Sequence, residues 1–182
     1  MVYIILGQGF EEIEAVAPGD ILRRGGVDVR YAAVGPSLTV SGGTGISLTA
    51  DVFASDIAPH RGDTLVIPGG MGGVNSIKHD GPVMSMIAKA ADDGAELAAI
   101  CAGPSVLAKL GLLDGKHITC YPGCEKLMEK AVCHCESATM QDGPLITGRA
   151  PGSALDFGYA LLAHLKGERV SEDVREGMCY RV

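Results

Sequence analysis

Short apolar runs that break off at glycine or proline, each followed by residues spaced for a helix, restrict the fold of this sequence more than any other feature. Residues 2–6 form a β-branched run closed by Gly7, after which Ile13, Val16, Ala17, Ile21 and Leu22 recur on one helical face. Gly25-Gly26 stops that helix and residues 27–34 read as the next strand, joined by the short connection of a βαβ unit. Residues 38–48 alternate but carry Gly42, Gly43 and Gly45, which predicts a hairpin or irregular excursion outside the core. Residues 64–67 resume the sheet and are cut by Pro68-Gly69-Gly70. A helix is expected over 83–91, a fully apolar strand over 97–100, and a helix from Pro104 to about Leu110. Further on, residues 117–120 and 144–147 read as strands, 125–130 as a short helix and 154–165 as a helix ended by Gly167, with an amphipathic stretch after Ser171.

Such alternation is the pattern of a doubly wound α/β sandwich around a mostly parallel sheet. The composition agrees: with no Trp and only eight Phe plus Tyr, the core must be built from Val, Ile, Leu, Ala and Met, as in parallel strands buried under helices. Neither repeats nor charged linkers interrupt the 182 residues, so one domain over 1–182 is expected.

A formal net charge of −7 argues against a broad phosphate-binding face, and nucleic acid is not expected as a partner. Neither a basic leader nor an apolar run of about 18 residues is present, so the expectation is a cytoplasmic protein without a membrane partner. In that setting the six cysteines, at 101, 120, 124, 133, 135 and 179, are expected to be thiols.

In an open α/β sheet the chemistry gathers beyond the carboxyl ends of the strands. Gly7-Gln8-Gly9-Phe10-Glu11-Glu12 imitates a dinucleotide fingerprint, but Glu12 stands where the third glycine belongs and the acids repel a pyrophosphate. Favourable electrostatics at a helix N-terminus accounts for Glu11 and Glu12, whereas Glu14 is placed to face the cleft. Pro68-Gly69-Gly70-Met71-Gly72-Gly73 lacks the Gly-Lys-Ser/Thr of a phosphate cradle; its bare amides suit a developing oxyanion instead.

The strongest constellation is Ala98-Ala99-Ile100-Cys101-Ala102-Gly103-Pro104, a buried strand, one nucleophile, small residues and a helix start. It shares the logic of a nucleophile elbow without the Gly-x-Ser-x-Gly pattern, and the helix start is expected to depress the Cys101 pKa. Cys120-x3-Cys124 and Cys133-His134-Cys135 offer soft ligands, but neither spacing is the C-x2-C of structural zinc, so surface thiols and no metal are expected. The scattered His60, His79, His117 and His164 show no pairing with Cys101.

Ala99-Ile100-Cys101-Ala102-Gly103-Pro104, with Gly9-Phe10-Glu11-Glu12-Ile13-Glu14, Pro68-Gly69-Gly70 and Thr147-Gly148-Arg149-Ala150-Pro151-Gly152, resembles the ThiJ/PfpI superfamily, in the branch of the Parkinson-disease protein deglycase. The resemblance runs in order through essentially the whole chain. It implies a flavodoxin-like sandwich, a homodimer, Cys101 as nucleophile and Glu14 as the carboxyl that hydrogen-bonds it. It also implies an oxyanion pocket from the amides of Gly70 and Ala102, with Gly69, Arg149, Pro151 and Tyr121 around it and no cofactor. Ala102 replaces the His that follows the nucleophile in the protease-like branch, and Tyr121 stands where some deglycase-branch members carry His. The function implied is a cysteine enzyme of glyoxalase or deglycase type, turning a small reactive carbonyl such as methylglyoxal, or its adducts, into a hydroxy acid. The alternative is a cysteine-based redox sensor or chaperone-like stress protein; a peptidase or amidase would need a His from elsewhere.

Overall fold

The computed structural model describes residues 1–180. The chain enters through β1 (Val2–Leu6), crosses over by α1 (Glu12–Arg24) and returns as β2 (Val29–Ala33). An excursion comes next, the hairpin β3 (Thr39–Ser41) and β4 (Ser47–Thr49), before the two-residue strand β5 (Val52–Phe53). The chain continues through β6 (Thr64–Ile67), α2 (Met71–His79), α3 (Gly81–Asp92), β7 (Glu96–Ile100) and α4 (Pro104–Lys109). After the small parallel pair β8 (His117–Ile118) and β9 (Val132–Cys133), the described chain closes with β10 (Thr139–Asp142), β11 (Leu145–Gly148), α5 (Ala154–Lys166) and α6 (Glu168–Gly177).

Seven strands form the central sheet in the order β10-β11-β7-β6-β1-β2-β5, and only the edge pair β10–β11 is antiparallel. The doubly wound α/β sandwich expected from the sequence is therefore the architecture observed. From β1 the chain builds outward to β2, then crosses back to β6 on the other side of β1 and on to β7. That reversal opens a crevice at the carboxyl ends of β1, β6 and β7, the place where such sheets bind ligands. The three strands are all but completely buried from Ile4 to Leu6, Leu65 to Ile67 and Ala98 to Ile100, so their ends form a rigid base for the loops that leave them.

Helix α1 packs on α5, and α5 on α6, while α2 packs on α3 and α4. The α1–α5 contact is close because Gly158 leaves no room for a side chain: a Cβ there would lie 2.8 Å from Ile21 Cδ1 and 3.1 Å from the Pro18 Cα.

Beyond the short strands β5, β9 and β10, which the sequence reading lacks, three elements differ from it. The first turn of α2 carries Gly72 and Gly73, poor helix formers, which hid this helix from propensity. Glycine is required by packing, since a Cβ on Gly73 would stand 2.8 Å from the Phe10 Cα. The helix expected over 125–130 is a single 3-10 turn, Cys124–Leu127. The α1 face is also rotated: Glu12, Glu14, Ala15, Pro18, Gly19, Ile21 and Leu22 are buried, whereas Ile13 and Val16 are 54% and 40% exposed. No helix among the described residues is long and apolar enough to cross a membrane.

Candidate active site

Three adjacent strands deliver the three predicted parts of the site. Glu14 sits in the first turn of α1 after β1, Gly69-Gly70 follow β6, and Cys101 follows β7. Parallel register between β6 and β7, with Val66 opposite Ala98 and Ile67 opposite Ala99, sets these loops side by side.

Cys101 occupies the left-handed region at φ 65°, which L-residues other than Asn and Asp seldom enter. The strain is held by the hydrogen bonds around it. Its N–H donates to the Gly148 carbonyl at 2.9 Å, its carbonyl accepts from the Tyr121 N–H at 3.0 Å, and the Gly103 N–H donates to the Ile100 carbonyl at 2.8 Å. This is the sharp strand-to-helix turn of a nucleophile elbow. Gly103 is obligatory in it because a Cβ would collide with the Ile67 carbonyl.

Glu14 is completely buried, with Oε2 accepting the Gly69 N–H at 2.7 Å and Oε1 meeting no donor. A Cβ on Gly69 would lie 2.6 Å from Glu14 Oε2, 2.7 Å from Cys101 Cβ and 2.9 Å from Cys101 Sγ, so carboxyl and sulfur converge on one point. Burial raises the Glu14 pKa to about 7 and Glu11 adds to the rise, while the Cys101 thiol and the Gly69 N–H hold it down. The backbone amides of Ala102 and Gly70 adjoin the Cys101 sulfur and favour its thiolate.

With these pieces in place, the sequence pattern of the DJ-1/PfpI family matches residues 1–164. The chain belongs to that family. It is 32% identical over 176 residues to protein dj-1beta of Drosophila melanogaster, covering 96% of this chain and 94% of that protein. It is 30% identical over 171 residues to the glutathione-independent glyoxalase DJR-1.2 of Caenorhabditis elegans, covering 93% and 90% of the two. The crystal structure of Drosophila DJ-1beta superposes with a TM-score of 0.93 at 30% identity, covering 100% of this chain and 98% of that one.

Around this DJ-1/PfpI core, an open cleft of about 500 Å³ is lined by Tyr121, Pro122, Arg149, Ala150, Gly152 and Ser153. Arg149 and Tyr121 line this cleft, and Pro151 begins a 3-10 turn beside it. Cys101, 9% exposed, follows β7 and is not in this lining; its backbone bonds Gly148 and Tyr121 beside the cleft.

Two expectations are corrected. The thiol pKa is not depressed: burial pushes Cys101 up, the charge and hydrogen bonding of Glu14 add to this, and the Ala102 and Gly70 amides only partly offset it. The adjoining α4, at six residues, is too short to reverse that balance. Glu12, in turn, does more than favour a helix start. Its Oε1 accepts from Thr44 N at 2.8 Å, Thr44 Oγ1 at 2.7 Å and Ile46 N at 3.3 Å, pinning the β3–β4 loop to α1. Burial opposes its ionisation, but these bonds hold its carboxyl below the usual range. Sequence periodicity gave no signal for this contact, which spans more than thirty residues.

Each histidine is engaged away from Cys101. His60 Nδ1 lies 3.2 Å from Asp63, His79 bonds the Asn75 carbonyl at 2.7 Å, His117 bonds His134 at 2.9 Å, and His164 lies 3.1 Å from Glu96.

Proposed function

We propose that this protein is a cofactor-independent cysteine enzyme of glyoxalase type, converting methylglyoxal or its early adducts to a hydroxy acid. The observation that carries the reading is the meeting of the Glu14 carboxyl and the Cys101 sulfur on either side of Gly69, with two backbone amides beside the sulfur. The glyoxalase activity named for the Caenorhabditis relative supports the substrate class.

Above about pH 7 the Glu14–Cys101 pair holds one proton, on the thiol, and the Glu14 carboxylate is free to accept it. Glu14, with a pKa of about 7, takes the thiol proton as the sulfur adds to the aldehyde carbon, so the negative charge passes to the former carbonyl oxygen. That oxyanion is held by the Gly70 and Ala102 amides and becomes the hydroxyl of a hemithioacetal on protonation. The carboxylate of Glu14 then removes the proton from the aldehyde-derived carbon and returns it to the neighbouring carbon, while the hydroxyl proton of the hemithioacetal passes to the second carbonyl oxygen. This internal exchange oxidises the first carbon to a thioester and reduces the second to a hydroxyl-bearing carbon. Water cleaves the thioester, releasing lactate and the free thiol.

Lactate formation from methylglyoxal by the purified protein tests this. Cys101→Ser and Glu14→Gln should each abolish it; full activity in either variant overturns the mechanism. The place of the two amides beside the sulfur itself supports a second reading, in which a peroxide oxidises Cys101 to a sulfinate whose oxygens they hold. Mild peroxide followed by mass spectrometry should then find Cys101 oxidised ahead of the other five thiols. A peptidase reading finds no histidine at Cys101 to support it.

The proposal includes a homodimer. Ile13, Val16, Ile46, Leu48, Leu155 and Met178 line an apolar groove of about 580 Å³ on the outer face of α1, the helix that carries Glu14.

A further inference from the structure

A second group of thiols gathers around the segment after β8, next in the chain to Tyr121, whose N–H bonds the Cys101 carbonyl. Cys120 follows β8 and is completely buried, not the surface thiol expected from the spacing. Its sulfur lies 3.7 Å from that of Cys135, and Cys135 Sγ lies 3.8 Å from Glu125 Oε2. All three donor atoms fall within 4.8 Å of one another. The Cys133 thiol adjoins Cys120. Backbone structure explains the convergence: β9 runs parallel to β8 with Ile118 opposite Cys133, and the His134 N–H donates to the Ile118 carbonyl at 2.8 Å. The chain turns after β9, and this turn carries Cys135 to the Cys120 sulfur. The 3-10 turn Cys124–Leu127 brings Glu125 over the same point.

We propose that Cys120, Cys135 and Glu125 bind a zinc-class divalent cation. A tetrahedral ion with metal–sulfur bonds of about 2.3 Å and a metal–oxygen bond of about 2.0 Å sets its sulfurs roughly 3.8 Å apart, and sulfur and oxygen roughly 3.5 Å apart. The observed 3.7 and 3.8 Å need little movement to meet that shape. Soft thiolates exclude magnesium and calcium, and a carboxylate among them favours zinc over cuprous copper. Glu125 Oε2 also accepts the Gly123 N–H at 2.6 Å, which holds the carboxylate beside the two sulfurs. Binding displaces the thiol protons to solvent and involves no redox step. Because Tyr121 follows Cys120 and its N–H bonds the Cys101 carbonyl at 3.0 Å, the ion would clamp one rim of the cleft beside the elbow.

Cobalt(II) titrated without oxygen into the reduced, metal-stripped full chain tests the site. One equivalent should bind, giving the visible bands of tetrahedral cobalt with sulfur-to-cobalt charge transfer, and one equivalent of zinc should displace it. Cys135→Ser and Glu125→Gln, both at partly exposed positions, should keep the fold by circular dichroism and weaken binding at least about tenfold, as loss of a ligand should cost no less than loss of its support. Cys101→Ala should leave binding unchanged. Absence of stoichiometric binding by the reduced protein, an octahedral spectrum, or loss of binding in Cys101→Ala would overturn the proposal, and none of these outcomes depends on turnover of methylglyoxal.

Discussion

The Gly69 N–H donates to Glu14 Oε2 at 2.7 Å, and this bond fixes the carboxyl within reach of the Cys101 sulfur. It ties the loop after β6 to the first turn of α1, so the geometry of the pair depends on a residue with no side chain.

Gly69→Ala should therefore be severe. Its methyl group would stand 2.6 Å from Glu14 Oε2 and 2.9 Å from Cys101 Sγ, forcing the two apart. A displacement of about 1 Å at reacting groups costs on the order of 100-fold in rate, and overpacking here costs about 1–3 kcal/mol. Lactate formation and a urea melt on the same variant check both numbers.

The pH profile is set by Glu14. Its folded-state pKa of about 7 lies above the ordinary 4.5, so between these values the folded chain keeps a proton that the unfolded chain has released. The stability contributed by this group is complete below pH 4.5 and is lost as pH rises through about 7. Glu14→Gln should gain on the native chain across that window by about 1–3 kcal/mol. Turnover of the native chain should rise through an apparent pKa near 7 that belongs to the coupled Glu14–Cys101 pair.

The strained elbow predicts an inversion of the usual order of glycine and alanine. At φ 65°, Cys101→Gly should be more stable than Cys101→Ala by about 1 kcal/mol, although both lose the sulfur and all activity. Equilibrium denaturation of the two variants decides it.

Glu12→Ala would strip three hydrogen bonds from Thr44 and Ile46. Faster amide exchange at those two residues is expected, with a loss of about 1–3 kcal/mol.

The exposed groove on α1 predicts self-association. Sedimentation should find a dimer for the native chain and a monomer for Val16→Asp, whose charge would have to be buried without a partner. An unchanged mass in that variant would place the interface elsewhere.

Much of the fold and site was readable along the chain. The runs 2–6, 64–67 and 97–100 mark central strands because each is apolar, short and closed by glycine, proline or a turn, and Cys101, Glu14 and Gly70 stand out because ligands gather beyond strand ends. Periodicity failed at α1. It assigned Ile13 and Val16 to the core, yet the helix buries Glu12 and Glu14 instead. A hydrophobic pattern reports which residues leave water. It does not say whether they meet this chain or another, nor that a carboxyl is tolerated inside when an amide such as that of Gly69 awaits it.

Local sequence thus determined the alternation of strands and helices and the chemical kind of the residues at their ends, because both depend on short-range periodicity and turn chemistry. Tertiary structure alone decided that Glu14 and Cys101 share the space over Gly69, that Glu12 holds the β3–β4 loop, that the histidines lie elsewhere, and that Cys120 meets Cys135 and Glu125. Those are meetings between residues distant in the chain, set by strand order and parallel register, which no local pattern encodes.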